Sequence, residues 1–172
     1  MAFNFATSAN YELDVVCVSD PALNGVDQAI KDKYLETTDM SLFDGVDGLT
    51  VFKIRALSHQ DREQAEIRAG AYQRTELGRV LNWQAPSDEI ERAKWFDNLT
   101  AHEQECFHKY IKYLKNVNEQ ILNQSLVSID GEEATIKDIN LIRPDSLRAQ
   151  VFNELTLHIR RISLLDLEQK KT

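Results

Sequence analysis

The stretch DSLRAQVFNELTLHIRRISLLDL, Asp145 to Leu167, decides the fold. Leu147, Val151, Leu155, His158, Ile162 and Leu165 are spaced by four, four, three, four and three residues. An α-helix of about 3.6 residues per turn puts those six on one face. Pro144 cannot occupy a helix interior, so Asp145 is the expected N-cap. Arg148, Gln150, Glu154, Arg161 and Asp166 fall on the other side. An amphipathic helix of this kind must bury its stripe against a neighbour.

The best sequence candidate for that neighbour is the stretch that opens at Thr100. Thr100 and Glu103 form a capping-box pattern, and Phe107, Tyr110, Ile111, Leu114, Val117, Ile121 and Leu122 make a second stripe. This helix is expected over 100–123. Pro86-Ser87-Asp88-Glu89 signals a shorter helix over 88–98, with Ile90, Ala93 and Trp95 or Phe96 turned inward. Ser58, followed by Asp61 and Glu63, opens a polar helix from His59 towards Leu81, with a bend or break expected between Gly70 and Gly78.

Strands are fewer. LTVFKIRAL, residues 49–57, alternates, with Phe52, Ile54 and Ala56 opposite Val51, Lys53 and Arg55. Residues 11–18 read as a strand stopped at Asp20-Pro21. Asp130-Gly131 is a favoured turn pair inside 126–136, which reads as a hairpin. The fold class is therefore α+β and mostly helical: a helical core with a small antiparallel strand and hairpin component.

Composition sets the outer limits. The chain has 172 residues, 42% hydrophobic and 28% charged, enough for one cored domain. Its net charge of −8 is uneven. Residues 1–50 hold nine acids against two bases, Lys31 and Lys33, a net −7. With several turn signals and weak patterning, residues 1–48 are expected to be an extended acidic arm that orders on a partner, followed by a domain over 49–167 and a charged tail over 168–172. No basic face offers itself to phosphates, so nucleic acid is not an expected partner. No run approaches the roughly 20 apolar residues of a membrane span, and no secretory leader is read at the N-terminus. Cys17 and Cys106 stand in dissimilar contexts, which favours free thiols in a reducing compartment.

Candidate chemistry is sparse. Glu105 and His108 have the Glu-x-x-His spacing of helical di-metal sites; Glu154 and His158, and His102 and Cys106, each lie one turn apart. The di-metal pattern needs two such elements and two further glutamates, and one element is present. The plainer reading makes Glu105 and His108 surface residues and His158 a partly buried histidine with one hydrogen-bond partner. A Gly-x-Ser-x-Gly elbow, a phosphate-binding glycine loop and a paired base for either cysteine are all missing. Trp83, Trp95, Tyr110 and Tyr113 are better explained by packing, and Arg160-Arg161 and Lys170-Lys171 by the helix dipole. No catalytic, cofactor-binding or metal residue is assigned, and no cofactor is expected.

Two passages resemble small bacteriophage tail-assembly and virion accessory proteins. In LTVFKIRALSHQDREQAEIRAG a strand leads through serine into a charged helix, and VFNELTLHIRRISLLDLEQKK resembles the closing helix of the same proteins. Together they cover about a quarter of the chain. The resemblance implies a non-enzymatic protein of the virion or host cytoplasm. It would bind other phage structural proteins or copies of itself, as a homo-oligomer or within a larger assembly. Two other readings stand beside it: a helical metal-binding protein built on Glu105, His108, Glu154 and His158, and an acidic adaptor or inhibitor docking on a basic partner through residues 12–47.

Overall fold

A computed structural model describes residues 11–70, 86 and 88–168. The expected helix beyond residue 70, Trp83, Lys170-Lys171 and the first ten residues lie outside them. The described chain is α+β and mostly helical, with a small four-stranded antiparallel sheet. The strands are β1 (Glu12–Val15), β2 (Phe52–Arg55), β3 (Leu126–Ile129) and β4 (Glu132–Glu133), paired in that order. The helices are α1 (Gln28–Thr37), α2 (His59–Arg68), α3 (Glu89–Asp97), α4 (Ala101–Ser125), α5 (Ile136–Ile139) and α6 (Asp145–Glu168). Two short 3-10 turns, Pro21–Leu23 and Met40–Phe43, stand either side of α1.

The chain divides into two compact units, Met1–Arg62 with Ile121–Thr172, and Glu63–Gln120. In the first, β2 is an inner strand: Val15 pairs with Phe52 on one side and Phe52 with Ile129 on the other. Phe52 and Ile54 are buried while Arg55 is exposed, as alternation requires. A register shift between Lys53 and Ile54 marks a bulge against β3. The β3–β4 turn has positive φ at both Asp130 (51°) and Gly131 (84°), the primed geometry that suits the twist of a two-residue hairpin. Asp130 also accepts from the Val51 amide at 2.8 Å, tying the turn to the entry of β2.

Helix α6 lies against β2 and α5. It buries Val151, Leu155, His158, Ile159 and Ile162. Ser163 Oγ accepts from the Leu57 amide at 2.9 Å, stitching the helix to the end of β2. The sequence pointed to 100–123 as the main neighbour of this helix. Within the larger unit α6 has the sheet and α5 as neighbours, and the same unit holds residues 121–125 of α4, with Ile121 and Leu122 buried. Asp145 is the first helical residue and not the cap: the carbonyl of Pro144 already accepts from Arg148 N, and Asp145 lies 3.4 Å from the Arg148 guanidinium.

Residues 11–48 are not an extended arm. Val16, Leu23, Tyr34 and Phe43 are buried together, with Val18, Val26, Met40 and Leu42 packed around them. The segment looked arm-like because its apolar residues are spaced by turns. Each turn is closed locally: Asp20, Asp27 and Asp39 accept from the amides of Ala22, Ala29 and Ser41 at the starts of the two 3-10 turns and of α1. Three of the nine acids thus cap these turns.

The described part of the smaller unit is helical. Asp88 caps α3 through the Glu91 amide at 2.9 Å. Thr100 and Glu103 form the expected capping box of α4, with the Thr100 amide donating to Glu103 at 2.8 Å. Gly70, at φ 97°, follows the end of α2.

Candidate functional site

Three places gather polar or exposed apolar groups. The first is the buried layer where residues 15–20 meet α6. The second is a cleft beside it. The third is the helical surface of the smaller unit.

At the first, the Tyr34 hydroxyl accepts from Val16 N–H at 2.9 Å and donates to Val16 C=O at 3.1 Å. Glu154 accepts from the amides of Val18 at 2.6 Å and Ser19 at 3.2 Å. Burial raises the Glu154 carboxyl above its ordinary range, against the opposing pull of these hydrogen bonds. His158 is 2% exposed, its ring 5.8 Å from that of Tyr34, and its Nε2 is buried without a hydrogen-bond partner. Burial, with the nearby Arg161, lowers its pKa to about 4. The Cys17 thiol is buried and pushed far up by desolvation and by Glu154 and Asp20. These groups are neutral or held by main-chain partners. Glu154 fastens the 15–20 segment to the last helix, and Tyr34 fastens the same segment to α1.

The cleft, of about 260 Å³, lies between the Asp20–Pro21 turn, β2, the end of β3, α5 and the first turns of α6. Its walls are mainly apolar, from Phe52, Ile129, Ile142, Leu147 and Val151, with Cys17, Thr50, Asp20 and Asp138 as its polar members. Asp20 is fixed: Oδ1 accepts from Ala22 N at 2.8 Å and Oδ2 from Thr50 N at 2.9 Å. Asp138 Oδ2 accepts from the Thr135 amide at 2.8 Å and hydroxyl at 3.1 Å, which holds its carboxyl below the usual range.

In the smaller unit, α3 has no buried residue. Trp95, Phe96, Phe107 and His108 form a ring cluster, with Trp95–Phe107 and Phe96–Phe107 centroids 5.6 Å apart and Phe96–His108 5.2 Å. Trp95 and Phe96 are half-buried, while Ile90 is 67% exposed and Ala93 is exposed. The sequence turned Ile90 and Ala93 inward; in the structure the aromatic pair makes the contacts and leaves them outside. Ile67 and Ile111 are 58% and 47% exposed.

Within each unit, the residues singled out for a metal have other contacts. Glu105 is exposed and pairs with Lys109 at 2.9 Å, the main cause of its lowered pKa. His108 packs against Phe96, and both Glu154 oxygens meet main-chain amides. His102 Nε2 lies 3.7 Å from Cys106 Sγ. Among the described residues, no group of three or more His, Cys, Asp or Glu is placed to hold a metal ion. Nor is any described helix long and apolar enough to cross a membrane. The sequence reading missed Tyr34, Asp20 and Asp138, since a tyrosine in a short helix and aspartates in turns carry no signal for long-range pairing.

Comparison with protein-family models, with curated proteins and with solved structures gives no match to this chain.

Proposed function

We propose that this protein is a non-enzymatic binding protein that works through protein–protein contacts, as a structural or assembly component of a bacteriophage particle. It would act in the virion or in the host cytoplasm. The observation that carries the binding reading is the surface of the smaller unit, where Ile67, Ile90 and Ile111 face solvent and α3 buries no side chain. Three exposed branched aliphatics on a unit that also carries half-buried aromatics are the apolar surface on which this reading draws. The phage setting rests on the resemblance of residues 49–70 and 151–171 to tail-assembly and virion accessory proteins.

Light scattering on the purified chain, coupled to size-exclusion chromatography, tests this. The expected result is a defined assembly larger than the 172-residue monomer. Ile90→Glu with Ile111→Glu, both at exposed positions, should dissociate it while the helical signal is kept. A monomer at every concentration, unchanged by the double substitution and absent from purified phage particles, would overturn the proposal.

A further inference from the structure

The cleft of the larger unit has a chemistry of its own. At about 260 Å³ it falls below the roughly 300 Å³ at which small-molecule and cofactor sites begin. It suits a single side chain. Its lining includes two carboxylates, Asp20 and Asp138, and no lysine, arginine or histidine. Asp20 is fixed by two main-chain amides and Asp138 by the Thr135 amide and hydroxyl, so neither is neutralised by a cation in these contacts. Lys137, the nearest base in sequence, acts on Asp138 through its charge but does not line the cleft. Apolar walls lower the local dielectric around the buried Asp20 and strengthen its attraction for a positive charge, while Asp138 stands exposed to solvent. The complementary occupant has an apolar stem and a cationic head. A guanidinium fits better than an ammonium, because it is weakly hydrated and offers several planar donors to two acceptors.

We infer that this cleft receives an arginine side chain from a protein partner, its stem along Ile142 and Val151 and its head towards Asp20 and Asp138. The inference rests on the binding-protein reading above and gives the chemistry of one contact.

The test uses the full chain and three probes: n-butylguanidinium, n-butylammonium and the neutral N-butylurea. Methyl resonances of Ile129, Ile142, Leu147 and Val151 report occupancy. Saturable shifts confined to these methyls are expected with n-butylguanidinium, with binding roughly tenfold weaker for N-butylurea and weaker also for n-butylammonium. Asp138→Asn, at an exposed position that keeps an acceptor for Thr135, should remove most of the preference for the cation. Absence of shifts at high millimolar probe, equal binding of the urea, or a preference unchanged in Asp138→Asn would each overturn the proposal. Equal or tighter binding of n-butylammonium would overturn the assignment to arginine. Probe binding that persists while the chain is monomeric and absent from particles would refute the assembly role alone. Assembly without probe binding would refute the cleft alone.

Discussion

The Tyr34 hydroxyl bridges both main-chain groups of Val16, accepting from its amide at 2.9 Å and donating to its carbonyl at 3.1 Å. Val16 follows β1 and is fully buried, so these groups have lost both water and a strand partner. A side chain eighteen residues away completes what the sheet does not. Burial pushes the Tyr34 phenol up to about 12, so the hydroxyl keeps its proton and its donor role at neutral pH.

Tyr34→Phe should therefore destabilise the larger unit by about 1–3 kcal/mol, the range for stranding buried main-chain groups. The ring contact with Phe43, at 4.9 Å, is retained in this variant and isolates the hydroxyl. Urea unfolding is the measurement, with a lower midpoint and an unchanged slope expected. A midpoint equal to wild type would show that Val16 finds other partners.

His158 supplies the pH dependence. Its pKa falls from 6.5 to about 4 on folding, by burial first and Arg161 second. Between those values the unfolded chain binds the proton and the folded chain does not, so stability is whole above pH 6.5 and is lost as pH falls towards 4. The full term is about 3 kcal/mol at 1.36 kcal/mol per unit. Tyr34 and Arg161 are the groups placed beside the ring. His158→Phe removes the titration and the unpartnered Nε2, so its stability should decline less than that of wild type over this window. Parallel profiles of the two proteins would refute the assignment.

The Cys17 thiol should be inert in the folded chain. It is fully buried, and desolvation with two neighbouring carboxylates disfavours the thiolate that alkylation requires. Maleimide labelling located by mass spectrometry should leave Cys17 unmodified in buffer and modify it in denaturant. Native labelling at the rate of a free thiol would mean that the 15–20 segment opens readily.

Much of this architecture is visible in the sequence because it is local. The 3.6-residue stripe of Leu147 to Ile162, the alternation around Phe52 and Ile54, the capping box of Thr100 and Glu103, and the Asp130-Gly131 turn each depend on residues a few positions apart. The placement of residues 11–48 is not local. It depends on Tyr34 reaching Val16, Asp20 reaching Thr50 and Arg161 donating to the Leu35 carbonyl, pairings that no periodicity encodes. The cleft is invisible for the same reason, since its walls come from five separate segments. The stripe predicts a partly buried His158; the structure buries it almost completely, because its position faces Tyr34.

Glu154 gives the sharpest test of whether residues 11–48 belong to the core. Its carboxylate accepts from Val18 N and Ser19 N across 136 and 135 residues of sequence, joining the end of the first segment to the middle of α6. Each oxygen meets one amide, so the pair acts as a two-point clamp. Glu154→Ala removes both acceptors and should cost about 2 kcal/mol, as for main-chain hydrogen bonds to a charged group. Glu154→Gln keeps one acceptor but turns an NH2 towards the other amide, so it should be destabilising as well, by an amount set by how far that amide can turn to water. Limited proteolysis separates a local effect from a global one. Cleavage near residues 18–24 that rises in Glu154→Ala before the rest of the chain yields would show that the clamp holds this segment. Unchanged stability and cleavage would leave the segment held by the burial of Val15, Val16 and Cys17 and by the Tyr34 and Asp20 hydrogen bonds, with the clamp as an incidental contact.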